Sequence, residues 1–469
     1  MTVMIGLEVH VQLNTESKLF CSDSVDTRGK GPNENTCPIC LGFPGTKPKL
    51  NKKVIDYAIT TGLAVNCRIP EESFMSRKIY FYPDLAKNFQ ITQYEAPLAV
   101  EGYLNVGDQK IRIRRIHIEE DPAKLVHIGG DITSAEYLLI DYNRSGIPLM
   151  EIVTEPDFTT PRQARQFLEK LSSILEHLGV YDSAKELSLR VDANISMDGG
   201  ERIEVKNITG FENVEKALNF EIIRQSGMSR MQVTVARETR HFDAEAGMTK
   251  GLRKKEFEED YGYVFDPDLP LIKVARSWVD DLKASMPELP DHRAKRFTTE
   301  YKLGDYTANV LIFTDKHLAD FFEECCKLHK DPNAVANWIT NYLLKSLNWR
   351  SERISNSKVK PNTFIELLEL IDSKEITERY AKELIKEYVD TGTSPRELVK
   401  KSKVKISKAD IEAAIKQVLE KNKKVAEEIK SGKSESLQFM IGQVLALTKK
   451  QADPKEIKAL ITEMLKKQH

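Results

Sequence analysis

Three stretches of this sequence alternate between apolar residues and residues that could do chemistry. In IGLEVHVQL the apolar residues alternate with Glu8, His10 and Gln12. Because successive side chains of a β-strand point to opposite faces, this predicts a strand with one buried face and one face carrying an acid and an imidazole. The stretches LRVDANISM and RIEVKN repeat the alternation, and their polar faces carry Arg190, Asp192, Asn194, Arg202, Glu204 and Lys206.

If these strands lie in one antiparallel sheet, their polar faces form a charged concave surface. Carboxylates bind hard cations and a Lys ammonium neutralises phosphate, so this set of groups is typical of a metal and nucleotide site. Three ordinary solvent-facing strand surfaces would show the same alternation, and the pattern alone does not separate the two interpretations.

A fourth strand-like stretch, KIRIRRIHIEED, carries the adjacent acids Glu119 and Glu120. Its apolar residues change phase at Arg114–Arg115, which predicts a β-bulge. Strand geometry cannot point two consecutive side chains to the same face. We therefore expect one of the two acids to be a metal ligand or base, and the other to be a supporting or salt-bridged residue.

The cysteines suggest a second metal site. Cys325 and Cys326 are adjacent in a helical context and are interpreted as core thiols, since adjacent residues bridge only with strain. A CPIC motif with one Cys upstream and one downstream suits a tetrahedral thiolate zinc site. A redox CxxC pair and unliganded thiols are the alternatives. The expected structural zinc knuckle spans 21–67, with Cys21, Cys37, Cys40 and Cys67 as ligands.

Several common signatures are absent from the 469 residues. There is no GxxxxGK[ST] loop, no GxGxxG after a strand, no GxSxG and no Gly-Gly-Ser-Ser stretch of the amidase type. Any ATP would therefore bind through carboxylate-held metal and basic side chains, and an amide-hydrolysing nucleophile of that type is not expected in this chain. The N-terminus lacks the features of a signal peptide and no apolar run is long enough to span a membrane, so we expect a cytoplasmic protein.

The elements that must position these groups change character along the chain. Residues 1–290 are rich in Gly, Pro and period-2 patterns, and include one amphipathic helix that begins after Thr160 and ends at Gly179. Two Pro near 290 and the stretch TGTSPRELVKKSKVKISKAD mark further boundaries. We therefore predict a catalytic domain at 1–290, a helical domain at 291–400 and a basic helical tail at 401–469.

Charge is divided unevenly between these parts. The net charge of the chain is −1, but the tail holds 16 Lys, no Arg and 9 acidic residues, whereas the rest holds 54 basic and 62 acidic residues. A solvated Lys-rich surface would explain the tail without any partner, and a phosphate-binding surface is the alternative.

The longer motifs closely resemble the B subunits (GatB) of tRNA-dependent amidotransferases. IGLEVHVQL, TCPICLGFPGTKPKLN, SRKIYFYPDLAKNFQITQY, HIEED, DYNRSGIPLMEIVTEPD, RVDANIS, EVKNI and DPDLP occur in that order, and LQFMIGQVLALTKKQADPKEIKALI resembles the C-terminal helical domain of the family. The archaeal paralogue GatE carries an inserted domain. The length of this chain and its unbroken motif order argue against such an insertion here.

The resemblance implies a fold and a reaction. The fold would be α+β, an antiparallel-sheet cradle related to the glutamine synthetase catalytic fold, followed by two all-helical domains. The protein would use ATP and Mg²⁺ to phosphorylate and amidate the side chain of Asp-tRNA(Asn), Glu-tRNA(Gln) or both. Ammonia would come from a separate amidase (A) subunit, and a small C subunit would complete a heterotrimer. A tRNA-binding scaffold without chemistry is the alternative.

The resemblance also assigns roles to residues. Mg²⁺ would be bound by Glu8, His10 and one of the adjacent acids, taken as Glu120. The basic tail would bind the tRNA backbone, because Lys without Arg favours phosphate neutralisation. The implied catalytic residues are Glu119, Glu120, Glu151, Asp192, Lys78 and Lys206, and the implied nucleotide-binding residues are Lys78, Arg190, Asn194, Glu204 and Lys206.

Overall fold

The computed structural model describes residues 2–129, 135–183, 185, 188–254, 262–401, 408–430, 434–448, 452 and 454–466. The chain divides into two compact units, Met1–Pro290 and Asp291–His469. The division falls where the composition of the sequence changes. Within the described residues, no helix is long and apolar enough to cross a membrane.

The first unit is built around its strands, which are β1 (Val3–Gln12), β2 (Glu72–Ser73), β3 (Ser76–Ile79), β4 (Phe89–Thr92), β5 (Ala99–Val106), β6 (Gln109–Glu120), β7 (Lys124–Ile128), β8 (Tyr137–Asp141), β9 (Pro148–Thr154), β10 (Leu189–Met197), β11 (Ile203–Ile208), β12 (Glu238–Asp243), β13 (Met248–Lys254), β14 (Gly262–Phe265) and β15 (Ile272–Lys273).

Eight of these strands form one sheet in the order β13-β12-β11-β10-β1-β9-β6-β5. Neighbouring strands are antiparallel except β11 and β12, which are parallel. The expectation of a wholly antiparallel sheet is therefore wrong at one position. A helix, α3 (Phe211–Arg230), connects these two strands, and parallel neighbours need such a crossover.

One face of the sheet is the core of the unit. The odd-numbered residues of β1, Ile5 to Val11, are almost completely buried in one hydrophobic cluster, which also includes residues of α1 (Lys52–Ala64), α2 (Pro161–His177) and α3. As predicted, α2 begins after Thr160, whose side chain and that of Gln163 cap the first turn reciprocally. The helices cover this face, so the even-numbered polar residues of β1 lie on the other.

The polar face is the concave side of the sheet. Arg190 on β10 contacts Asp121, just beyond β6, at 3.1 Å, although β1 and β9 lie between the two strands. Three strand spacings of about 4.8 Å each separate β10 from β6, so this contact requires the sheet to curve. The remaining strands of the unit form smaller sheets, with the orders β14-β3-β4, β15-β2 and β7-β8. A further helix, α4 (Arg276–Ala284), is the last element of the unit.

The second unit is helical. Its described residues form two hydrophobic clusters, one running from Phe297 to Leu398 and the other from Ile411 to Leu465. The predicted boundary near 400 lies between them, although part of it, 402–407, is outside the described residues. The helices are α5 (Pro290–Glu300), α6 (Asp305–Thr314), α7 (Lys316–Leu328), α8 (Pro332–Trp338), α9 (Leu344–Trp349), α10 (Pro361–Asp372), α11 (Glu378–Thr391), α12 (Pro395–Lys401), α13 (Lys408–Lys421), α14 (Lys423–Lys430), α15 (Ser434–Leu447) and α16 (Pro454–Lys466).

The fold is thus α+β, with a helical C-terminal region.

Candidate active site

The strand register gathers most of the predicted site residues on the concave face. Glu8 lies directly opposite Asp192 on β10, and His10 lies opposite Glu151 on β9. Glu151 is in turn opposite His117 on β6. Direct cross-strand partners share a face, so these side chains project from neighbouring central strands toward one another.

The first cluster joins His10, Glu119 and Glu151. Nε2 of His10 lies 3.4 Å from Glu151 Oε2 and 3.7 Å from Glu119 Oε1. Nε2 of His117 lies 3.2 Å from the same Glu151 oxygen. Both acids are buried, and one ligand atom from each of His10, Glu119 and Glu151 lies within 4.8 Å of the others.

The electrostatics of this cluster favour a positive charge, whether a proton on His10 or a metal ion in its place. Burial alone would lower the pKa of His10, but its hydrogen bond to Glu151 and the surrounding carboxylates raise it to about 10. Burial opposes ionisation of Glu151 too, yet the two His side chains hold its pKa well below the usual value. Burial and the charge of Glu151 raise the pKa of Glu119. A cation would stabilise both acids in their charged form.

The second cluster joins Glu8, Asp192 and Glu204, whose ligand atoms also lie within 4.8 Å of one another. Asn194 Nδ2 donates to Glu8 Oε1 at 2.9 Å, and the backbone N–H of Asn207 donates to Asp192 Oδ1 at 2.7 Å. Burial and the neighbouring carboxylates raise the pKa of Glu8.

An unsatisfied acceptor beside the second cluster fits a divalent cation. The Asn194 side chain donates to Glu8 through its amide nitrogen, which leaves the amide oxygen Oδ1 free to accept. This buried oxygen has no hydrogen-bond partner within the described residues. Three carboxylates and an amide oxygen are the ligands that Mg²⁺ prefers. The first cluster includes an imidazole, which suits Mn²⁺ better than Mg²⁺.

The two adjacent acids of β6 separate as strand geometry requires. Glu119 joins the His10 cluster, whereas Glu120 accepts from Lys87 Nζ at 2.5 and 2.8 Å and from the backbone N–H of Ile91 at 2.8 Å. The assignment of Glu120 to the metal with Glu8 and His10 is therefore wrong. Consecutive side chains alternate between faces, and Lys87 already neutralises this buried carboxylate.

The predicted cations have different surroundings. Lys206 Nζ lies 3.7 Å from Asp192 and 3.9 Å from Glu204, within the second cluster. Arg190 pairs with Asp121, which also accepts from Arg144. Lys78 lies on β3, outside the large sheet, and its charge acts on Glu119.

No pattern in the sequence indicated that Lys87 lies next to the site. It lies in the loop between β3 and β4, where no periodicity of the sequence indicates which way a side chain points.

A cavity of about 170 Å³ opens beside the second cluster. Glu8 and Asn194 line one side, Val153 and Thr154 lie along β9, and Arg202 is a further lining residue. The concave face therefore has open space next to Glu8.

The cysteine cluster differs from the prediction in one residue. Sγ of Cys40 lies 3.6 Å from Cys21 Sγ and 3.7 Å from Cys37 Sγ, and Asp23 Oδ2 lies 3.0 Å from it. Tetrahedral thiolates at Zn–S of about 2.3 Å are about 3.8 Å apart. Hydrogen bonding to Cys21 lowers the pKa of Cys40 to about 6, against the effect of burial.

Cys67 is not part of this cluster, and its assignment as the fourth zinc ligand is wrong. It follows α1 and is buried in the main core, where its Sγ packs against Gly102 so closely that a Cβ there would be 2.3 Å away. Asp23 is the fourth residue of the cluster instead.

Comparisons with known proteins cover nearly the whole chain. A profile of the GatB/GatE catalytic domain matches residues 3–280, and a profile of the GatB domain matches residues 320–465. The B subunit of the aspartyl/glutamyl-tRNA(Asn/Gln) amidotransferase of Saccharolobus solfataricus is 46% identical over 472 residues, covering 99% of both chains. The proteins of that name from Methanoregula boonei and Carboxydothermus hydrogenoformans are 46% and 43% identical, over 99% of this chain and 98% of theirs.

Proposed function

Because this chain belongs to the GatB family of tRNA-dependent amidotransferase B subunits, we propose that it activates and amidates the side-chain carboxylate of misacylated tRNA. The substrates are Asp-tRNA(Asn), Glu-tRNA(Gln) or both. The reaction transfers the terminal phosphoryl group of ATP to the carboxylate and releases ADP. Ammonia then attacks the acyl phosphate and phosphate leaves, giving the amide.

The observation that carries this proposal is the pair of buried acidic clusters on adjacent strands of one concave face. Phosphoryl transfer to a carboxylate brings several negative charges together, so positioning and charge neutralisation provide most of the catalysis. Mg²⁺ supplies that neutralisation when it is bound. The second cluster, Glu8, Asp192 and Glu204, is its proposed site, with His10, Glu119 and Glu151 as a second site.

The surrounding residues hold these ligands in place. Asn194 orients Glu8, the backbone N–H of Asn207 orients Asp192, and His117 orients Glu151. Lys206 and Lys78 neutralise phosphate or carboxylate charge at the rim of the site. We further propose that this curved sheet is a cradle of the glutamine synthetase kind, since that enzyme also phosphorylates a glutamate carboxylate.

The proposed assembly supplies what this chain lacks. Ammonia comes from a separate amidase (A) subunit, because the sequence has no amidase signature, and a small C subunit completes the complex. The Lys-rich tail binds the tRNA backbone. Cys21, Asp23, Cys37 and Cys40 bind a structural Zn²⁺, since four protein ligands leave no open position for chemistry.

Amidation by the assembled enzyme tests the proposal. The chain is co-purified with candidate A and C subunits, and Asp-tRNA(Asn) and Glu-tRNA(Gln) are offered side by side with ATP and glutamine. We expect amidation of at least one, with ADP and phosphate formed in proportion. Asp192→Asn should abolish amidation and leave tRNA binding intact. If Asp192→Asn retains full activity, the chain is a tRNA-binding scaffold and the chemistry lies elsewhere.

A further inference from the structure

The β-bulge of β6 turns one arginine onto the concave face. Ile113 is opposite Thr154, so in a regular ladder Arg115 would lie opposite Ile152 and point into the apolar core. The extra residue at position 114 shifts the register, and Arg115 instead lies opposite Val153. An extra residue in one strand reverses the face of every side chain after it.

This shift places Arg115 in line with a proposed metal ligand. Val153 is opposite Glu8 on its other side, so Glu8, Val153 and Arg115 form one row across three strands. The next row is His10, Glu151 and His117. Two strand spacings, about 10 Å, separate the backbones of Glu8 and Arg115. The residue between them is the apolar Val153, which lines the cavity beside Glu8 together with Arg114, the neighbour of Arg115 in the bulge.

Arg115 has unused hydrogen-bonding capacity in this position. Its Nε is buried and has no hydrogen-bond partner in the described parts of the chain. A buried donor left unpaired costs free energy unless a ligand satisfies it. By contrast, Arg190 pairs with Asp121, and Lys206 lies among the acids of the second cluster.

An aromatic pair supports the guanidinium. The Arg115 guanidinium lies 5.9 Å from the ring centre of Tyr94, which stacks on Tyr263 at 4.0 Å. Tyr263 is directly opposite Lys78 on β3, so the same stack connects Arg115 to the predicted phosphate-binding lysine. A planar guanidinium held by an aromatic ring is suited to bidentate binding of an oxyanion.

We propose that Arg115 binds a phosphate group of ATP above Val153, opposite Glu8. The inference rests on the proposed function and adds a nucleotide-binding residue to it. A reacting side-chain carboxylate has the same chemistry as an oxyanion, but the phosphates are the more highly charged group and the site of the proposed metal lies across the row.

Steady-state kinetics of the assembled enzyme test this assignment, with ATP and aminoacyl-tRNA varied in turn. Arg115→Met keeps the length of the side chain and removes its charge, and Arg112→Met is the control on the same strand, where Arg112 pairs with Asp157 at the surface. We expect Arg115→Met to lower kcat/KM for ATP about 10- to 100-fold, the loss of a charged hydrogen bond, with the KM for aminoacyl-tRNA unchanged. Arg115→Lys should recover part of the loss.

Three results would overturn the proposal. One is a kcat/KM for ATP in Arg115→Met within twofold of that in Arg112→Met. The second is a change confined to the KM for aminoacyl-tRNA, which would place the substrate carboxylate at Arg115. The third is a melting temperature of Arg115→Met well below that of the unaltered enzyme, with Arg115→Lys no more active than Arg115→Met, which would make Arg115 a structural residue. Direct titration of the complex with MgATP separates this proposal from the proposed function, because ATP binding that depends on Arg115 would stand even if no amidation were observed.

Discussion

Lys87 Nζ lies 2.5 and 2.8 Å from the two carboxylate oxygens of Glu120, while the preceding residue, Glu119, faces His10 on the other side of the strand. Two adjacent acids therefore have different surroundings. Glu120 pairs with Lys87 of the loop between β3 and β4, and Glu119 lies in the His10 cluster.

We expect substitution of Glu119 to affect activity and substitution of Glu120 to affect stability. Glu119→Gln should reduce amidation at least about 100-fold with little change in melting temperature, since it removes charge from the site. Glu120→Gln and Lys87→Met should instead lower the melting temperature, because breaking a buried pair typically costs about 3–5 kcal/mol. Melting curves and amidation rates for the three variants check this. Equal melting temperatures for Glu119→Gln and Glu120→Gln would contradict it.

Metal binding at the first cluster should depend on pH. A cation binds His10 only after its proton has left, and the pKa of His10 is raised to about 10. The deprotonated fraction therefore rises about tenfold per pH unit between pH 7 and 9, and metal affinity should rise with it. Mn²⁺ titrations followed by electron paramagnetic resonance measure this. His10→Gln should lose one bound Mn²⁺, and an affinity that is the same at pH 7 and 9 would refute the assignment.

The acid sensitivity of the first unit should depend on Glu221. Burial opposes its ionisation, but hydrogen bonds from Arg224 and Thr249 lower its pKa below 4.5, and Arg240 lies 3.1 Å away. A lowered pKa stabilises the fold above 4.5, and this stabilisation is lost as pH falls through the lowered value. Glu221→Gln should be less stable at pH 7 by about 3 kcal/mol and should lose less stability on acidification.

An exposed acid of the same helix is the control for that experiment. Glu212 pairs with Lys216 at 3.0 Å at the surface. Glu212→Gln should leave the denaturation midpoint at pH 7 almost unchanged, since exposed pairs contribute little. If the two variants respond alike, the buried network around Glu221 does not have the role that its contacts indicate.

Zinc content should distinguish the cysteines. We expect one Zn²⁺ per chain, lost in Cys40→Ser and retained in Cys67→Ser, because only Cys40 lies in the Cys21–Asp23–Cys37 cluster. Asp23→Cys should keep the metal and bind it more tightly, since thiolates are softer ligands. Elemental analysis and chelator competition provide the measurement. Loss of zinc from Cys67→Ser with its retention in Cys40→Ser would reverse the assignment.

The tail should contribute to tRNA binding through charge. Lys416, Lys455 and Lys458 are exposed on α13 and α16. Replacing all three with Gln in the full chain should raise the KM for tRNA and reduce its dependence on salt, because the salt slope falls by about one unit for each phosphate that is no longer neutralised. Lys110→Gln, an exposed lysine of β6, is the control. A KM equal to that of the control would show that the tail is only a solvated helical surface.

Much of the site could be predicted from local sequence. The alternation in β1 and β10 predicted which side chains share a face, and the phase change at Arg114–Arg115 predicted the bulge, because both depend only on residues near in sequence. The separation of Glu119 from Glu120 also followed from strand geometry, although the choice between them did not.

The errors concern contacts between distant segments. Lys87 meets Glu120 from a loop, and Cys67 is carried into the core by α1, away from Cys40. The spacing of these residues along the chain indicates neither that Lys87 contacts Glu120 nor that Cys67 lies far from Cys40. The parallel pairing of β11 and β12 was not predicted for a related reason. The sequence of the crossover helix between them does not indicate beside which strand β12 will lie.

The central position of β1 also affects how the protein is made. β1 precedes the other described strands along the chain, yet it pairs with β9 and β10, and Glu8 Oε1 accepts from Asn194 across 186 positions of sequence. Such distant contacts are slow to form. Until β10 has left the ribosome, β1 has two unpaired edges and an apolar face, which are hazards for aggregation. The second cluster includes Glu204, so its acids can come together only after more than two hundred residues have been translated, and a shorter N-terminal fragment would lack the complete cluster.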